Sequence, residues 1–344
     1  EISFRKPLMP LSFNIVPVRS DAGDRLEAQI EALGLPPLSL GLLEGVVRKL
    51  AGIQQTQEIE LQQLRHLVFC ADHGVYDHSH QSNISRLSST DQVQRILTGR
   101  APVAVACLQY QIELSVIDCG LNGAEIDPQP RLYSQKIAAG TRDISMLPAM
   151  TTAQMHQAVT LGSEHAALKM AEGARVLSFG ALGQGNTTSA AALCVALLDL
   201  PPEVAVTNRS RLEPILFRDK VDVLTQALAL HRQDLSDAWS TVRHLGGFEI
   251  AAIMGAMAMT AELGGMFLVD GFACSAALLA LHRLYPQIID YAQFSHQSSH
   301  IAQHAIMKHL GQRPLLSLNL ALGEGTGSVL AWPLVLSAVN CLKA

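Results

Sequence analysis

Short apolar runs alternate with longer stretches of helical periodicity along this chain. That alternation predicts an α/β fold, a mostly parallel sheet flanked by helices on both faces. The expected strands are His66 to Ala71, Glu113 to Asp118, Val176 to Gly180, Met266 to Val269, Ile288 to Phe294 and Val204 to Thr207. Several are followed at once by polar or glycine residues: Asp72-His73-Gly74, Asp118-Cys119-Gly120, Gly180 and Asp270-Gly271-Phe272. Ligands of open α/β sheets sit outside the carboxyl ends of the strands, so these tips are expected to converge. Apart from Pro36 to Gly41, the first sixty or so residues look helical, as do the last twenty. The termini are therefore expected to form a smaller helical domain, 1–60 plus about 325–344, beside a large α/β domain over 61–324. The Pro-, Gly- and polar-rich segment from Asn122 to Ala149 is the expected surface excursion.

Composition narrows the possible partners. Charged residues make up 16% of the 344 and apolar ones 49%, which implies extensive burial and a subunit interface. A net charge of −5, with no Lys/Arg-dense face, excludes nucleic acid and anionic membrane and leaves a small molecule. The most hydrophobic run, Ile250 to Ala261, stops at Glu262, short of the roughly 20 residues a membrane helix needs. No secretory signal opens the sequence as given; the six cysteines lie far apart without a CxxC pair, and Cys70, Cys107, Cys119, Cys194 and Cys274, all in apolar surroundings, read as buried thiols. A cytoplasmic homo-oligomer is expected.

The segment Leu322-Gly323-Glu324-Gly325-Thr326-Gly327 presents one carboxylate among three glycines, and Glu324 is the candidate base. The turn Gly180 to Thr188 follows a strand and feeds an alanine-rich helix. It can hold a phosphate on free amides at the positive end of the helix dipole, or serve only for tight packing; it matches neither a Walker loop nor GxGxxG. Lys220 can supply a point charge to the same anion or lie solvated on a helix surface. The stretch Asp72 to His80 offers metal-type ligands, although contiguous ones, and strand-tip hydrogen bonding by Asp72 and His73 is the plainer reading. Ser295 to His300 could hold a Ser/His pair, but no GxSxG elbow surrounds either serine, so hydroxyl contacts to a ligand or to backbone are favoured.

Taken in order, PPLSLGLLE at 36–44, LAGIQ at 50–54, CADHGV at 70–75, DCG at 118–120, GTRDI at 140–144, GNTTSAA at 185–191, GGFEIAA at 246–252, LVDGF at 268–272, SHQS at 295–298 and LGEGTG at 322–327 resemble one family. It is the nicotinate-nucleotide:dimethylbenzimidazole phosphoribosyltransferases of cobalamin lower-ligand synthesis, and the resemblance spans nearly the whole chain. It implies a Rossmann-like sheet, a helical domain from both termini and a homodimer. It implies the transfer of phosphoribose from nicotinate mononucleotide to a benzimidazole-type base, giving the α-ribotide and nicotinate, without metal or redox cofactor. Glu324 matches the family's catalytic glutamate. Nucleotide and phosphate contacts would fall on Gly183, Gln184, Gly185, Asn186, Thr187, Lys220, Ser298, Leu322 and Gly323. The base pocket would draw on Gln92, Ser82, Asp72 and Asp270.

Four places depart from the family pattern. Ala181 stands where a second glutamate is usual, Thr207 to Arg211 replaces a glycine-rich stretch, Ser299 and His300 replace a small residue and a glutamate, and the loop Tyr76 to Ser89 is longer and rich in His and Ser. These changes point to altered acceptor preference, such as a purine or phenol, or to a weakly catalytic binding or partner subunit.

Overall fold

The structure, a computed structural model, describes residues 11–34, 36, 38–77, 87–207 and 213–343. Six strands form its sheet: β1 Arg65–Ala71, β2 Glu113–Gly120, β3 Leu132–Ser134, β4 Val176–Leu182, β5 Met266–Val269 and β6 Ala292–Phe294. All pair in parallel in the order β3-β2-β1-β4-β5-β6. Strand order reverses between β1 and β4, so the crevice of this doubly wound sheet opens at their carboxyl ends.

Period-two alternation divides the strands between two apolar layers. Leu67, Phe69, Leu177, Phe179, Phe267 and Val269 point into one layer, with the helices Thr152–Ala171, Phe248–Glu262 and Phe272–Leu284. Val68, Cys70, Val116, Val176, Met266 and Leu268 point into the other, with Leu42–Gln54, Pro102–Gln109 and Thr326–Cys341. Helices near both ends of the chain do pack together, and Leu26, Val47, Leu50, Trp332 and Val335 share one apolar cluster with that face of the sheet.

Four sequence expectations change. Val204 to Thr207 is not a strand: Pro201-Pro202 sets a helix start, and Pro202–Val206 is helical. The run from Ile288 is strand only over β6, because Pro286–Tyr291 forms a 3-10 helix first. The segment from Asn122 to Ala149 contributes the edge strand β3 and the buried Thr141 and Asp143, so it is more than surface. The N-terminal part is not helical throughout: residues 11–19 run as a non-helical strap before helix Asp21–Ala32. Phe13 N donates to Tyr285 Oη (3.2 Å), Val18 N to Asp290 Oδ2 (3.0 Å) and Tyr291 Oη to Val16 O (2.7 Å), which holds the strap on the 3-10 region.

Candidate active site

Glu324 occupies a turn built to carry it. Its φ of 67° is left-handed, as is the 81° of Gly325, and the two together fold the chain onto the sheet before helix Thr326–Cys341. Gly180 of β4 lies directly beneath: a Cβ there would stand 2.3 Å from the Glu324 carbonyl oxygen, so only glycine fits. From β1, His66 Nε2 donates to that carbonyl at 2.8 Å, while its Nδ1 accepts from Ser178 Oγ at 2.7 Å. A carbonyl can only accept, which assigns the ring proton to Nε2. Burial pushes the His66 pKa down, in keeping with a neutral ring.

The half-buried Glu324 side chain stands on the wall shared by two cavities. One, of about 280 Å³, is lined by Leu87, Gln92, Arg95, Ala101, Pro102 and Glu324. The other, of about 190 Å³, includes Asn186, Thr187, Asp270, Ser298, Leu322, Gly323 and Glu324 in its lining. Burial pushes the Glu324 carboxyl up to about 7, with the Arg95 charge opposing that rise and Asp270 adding to it. A carboxylate with that value is near half-ionised at neutral pH and suits proton abstraction.

The smaller cavity gathers the groups an anion needs. Helix Asn186–Leu198 begins at its edge after Gly185, and Lys220 Nζ donates to Thr187 Oγ1 at 3.0 Å. Lys220 is buried because it lies in phase with Leu216, Leu224, Ala227 and His231, the inward stripe of helix Pro214–His231. Across the cavity His300 stacks on Phe272, with ring centroids 4.8 Å apart. Burial, with the Lys220 charge behind it, pushes His300 down to about 4, so it adds no positive charge.

Asp270, at the tip of β5, lies 3.2 Å from His296 Nε2 and accepts from Ser328 N at 3.0 Å. Burial alone would raise its carboxyl; the His296 charge and the Gly271 and Ser328 amides hold it below the usual range. Burial would likewise lower His296, but Asp270 raises it. A fixed negative charge thus stands beside Glu324 in the cavity where Ala181 leaves no carboxylate of its own.

The predicted site residues divide accordingly. Glu324, Gln92, Asn186, Thr187, Asp270, Ser298, Leu322 and Gly323 line one cavity or the other, and Lys220 reaches Thr187. Asp270, expected at the base pocket, lines the smaller cavity. Gly183, Gln184 and Gly185 line neither. A Cβ on Gly183 would meet Ala71 O at 1.6 Å, and Gln184 N donates to Asp72 Oδ1 at 2.8 Å, so this turn packs the switch point together. Asp72 also lines neither: it accepts from Ser89 Oγ and, through Oδ2, from Asn122 N (2.8 Å), tying the tips of β1, β2 and β4. His73 turns away to Ser189 Oγ and Glu249 Oε1, each at 2.8 Å, so Asp72 and His73 do not point at one metal. Ser82, His78, His80 and residues 208–211 lie outside the described residues.

Arg95 escaped the sequence reading. It sits one helical turn after Gln92 on Ser89–Leu97, a helix started by a Ser88/Asp91 capping box, and that i, i+3 spacing was the available signal. A larger cavity, about 1010 Å³ beside Phe13, Lys136, His156 and Glu164, contains none of the predicted residues. Polar groups and a raised carboxyl converge instead on the pair at Glu324.

The chain is similar to known proteins along nearly its whole length. A family described as "Phosphoribosyltransferase" matches residues 15–344. Nicotinate-nucleotide–dimethylbenzimidazole phosphoribosyltransferases are 37% identical in Photobacterium profundum, over 95% of each chain, and 36% identical in Cupriavidus necator, over 96% of this chain and 94% of that one. The crystal structure of CobT from Thermus thermophilus superposes with a TM-score of 0.87 at 34% identity, covering 94% of this chain and 96% of that one.

Proposed function

This chain belongs to the phosphoribosyltransferase family, and from that membership we propose that it moves phosphoribose from nicotinate mononucleotide to a benzimidazole-type base in cobalamin nucleotide-loop assembly. The observation that carries the reading is Glu324, a carboxylate with its pKa near 7, on the wall common to two cavities. The nucleotide takes the smaller cavity, its phosphate among Thr187, Lys220, Ser298 and the Leu322–Gly323 backbone. The acceptor ring takes the larger one, against Gln92, Leu87 and Pro102.

The chemistry follows from the charges. The pyridine nitrogen bonded to C1 of the nucleotide is positively charged, so when that C–N bond breaks its electron pair neutralises the departing ring. No general acid is needed. One nitrogen of the base attacks C1, and Glu324 takes the proton from the other. The carboxylate borders both cavities, so it can reach the acceptor ring while the nucleotide lies alongside. The phosphate contacts fix C1 in line with the attacking atom, an orientation contribution beside the basic one. Domain boundaries of 1–60 plus about 325–344 against 61–324, a homodimer and a cytoplasmic location complete the proposal. The exposed apolar Met146, Leu147, Leu168 and Leu263 support association, and free buried thiols support a reducing compartment. Among the described residues, no helix is long and apolar enough to cross a membrane.

A second reading rests on Arg95. A guanidinium in the acceptor cavity favours a ring bearing its own hydrogen-bond acceptor, such as a purine or a phenol, over a ring carrying only methyl groups. The test is to incubate the protein with nicotinate mononucleotide and a panel of benzimidazoles, purines and phenols while following nicotinate release. Dimethylbenzimidazole turnover supports the first reading, and preference for an oxygen- or amino-bearing ring supports the second. Release with no acceptor, and Glu324→Gln behaving like the parent, would end both.

A further inference from the structure

Away from the cleft, the far end of the helix that carries Lys220 brings three ligand-type side chains together. His231 ends helix Pro214–His231, Asp234 lies in the following turn and His244 lies on helix Ala238–Leu245; one ligand atom of each falls within 4.8 Å of the others. His231 Nε2 is 2.8 Å from the Ile144 carbonyl oxygen, and His244 Nδ1 is 2.8 Å from that of Ser240. Since a carbonyl only accepts, both of these nitrogens carry the proton. His231 Nδ1 and His244 Nε2 are then left with lone pairs, each ring oriented by a backbone carbonyl, as in metal-binding histidines. His244 Nε2 lies 3.9 Å from Asp234 Oδ2, and the two rings are 5.1 Å apart.

We propose that His231, Asp234 and His244 form a three-ligand site for a divalent late transition cation, zinc first. Two imidazoles and one carboxylate suit zinc and exclude magnesium and calcium, which take oxygen donors. One coordination position is left for water. The Arg243 guanidinium competes for this site: its Nη2 is 2.7 Å from His244 Nε2 and donates to the same lone pair. A bound cation displaces that contact and clamps the end of the Lys220 helix to helix Ala238–Leu245 and to the Ile144 turn. The site is structural and lies outside the chemistry at Glu324, so it stands or falls separately from the acceptor assignment.

The test is isothermal titration of chelator-treated full-length protein with zinc chloride, with magnesium chloride in parallel, and the absorption spectrum of the cobalt(II) form. One equivalent of zinc is expected to bind, with a rise in Tm, no magnesium heat and visible cobalt bands of a site below six-coordinate. Asp234→Asn, at an exposed position, and His244→Gln should each weaken zinc by about tenfold or more, the scale on which even the loss of a group that only orients a ligand is felt. Arg243→Ala should tighten it several-fold, because the competing donor is removed. Zinc affinity unchanged in Asp234→Asn and His244→Gln, or unchanged or weakened in Arg243→Ala, overturns the proposal, as does the absence of zinc binding.

Discussion

The two cavities that share Glu324 are built differently. The smaller one is lined from the ends of β4 and β5, the helix starts at Asn186 and Phe272, the Ser298 segment and the Leu322–Gly323 turn, with Lys220 buried behind Thr187. The larger one takes most of its wall from one short helix, Ser89–Leu97, and the start of the next at Pro102. A lining drawn from so many elements cannot change one group without disturbing the switch point of the sheet. A lining with so few contributors, Gln92 and Arg95 on one capped helix and Ala101 and Pro102 at the start of the next, can exchange side chains more freely. On the proposed division of the cavities, anion recognition would be tied to the fold and acceptor choice left to a few positions such as Gln92 and Arg95.

Substitutions can break or sharpen this contrast. The largest expected effect belongs to the wall itself: Glu324→Gln should lower kcat by about 10²–10⁴-fold, the usual worth of a general base, with little change in KM for the nucleotide. Steady-state nicotinate release measures both constants. Next, Lys220→Ala should raise KM for nicotinate mononucleotide by about 10- to 150-fold, the worth of a lost charge-assisted hydrogen bond. Acceptor KM should stay put; a change shared equally by both substrates would contradict the division of the cavities.

Gly180→Ala probes the coupling of the fold to the site. Its new Cβ would press on the Glu324 carbonyl, so denaturant unfolding should lose about 1–3 kcal/mol and activity should fall with it. Arg95→Met, on the adaptable side, should leave stability and nucleotide KM unchanged while shifting the preference between methyl-bearing and oxygen-bearing acceptors by about tenfold. Because the Arg95 charge lowers the Glu324 pKa, removing it should also move the acidic limb of the kcat/KM profile upward from about pH 7.

The smallest effect concerns stability. The folded Glu324 carboxyl binds its proton more tightly than the unfolded one, about 7 against 4.5, so stability contributed by this group falls as pH rises between those values. Glu324→Gln removes the penalty, and its gain in Tm should be larger at pH 8 than at pH 5. Equal gains at both pH values would place the side chain in water instead of at a dry wall.

Local pattern was enough for much of this molecule. Buried runs of Val, Leu and Phe marked β1, β2, β4 and β5 because a parallel strand covered on both faces must be apolar throughout. β3 was not legible: Leu132–Ser134 has no apolar run of its own and becomes strand by pairing with the exposed edge of β2. Pro202 and Pro286 overrode β-branched neighbours by fixing φ at helix starts. Lys220 was ambiguous as a lone cation but falls in phase with the buried stripe of its helix.

What the sequence determined by itself was the layered sheet, the carboxylate between glycines and the family pattern, since these are properties of residue type and order. Tertiary structure decided what the same residues do with one another. It tied Asp72 and Gly183 into a knot at the switch point, and it set Arg95 beside Glu324. It also raised one carboxyl to about 7 while holding Asp270 below its usual range. The physical reason is that burial and the distances between charges depend on which strand tips meet, and no local pattern encodes those distances.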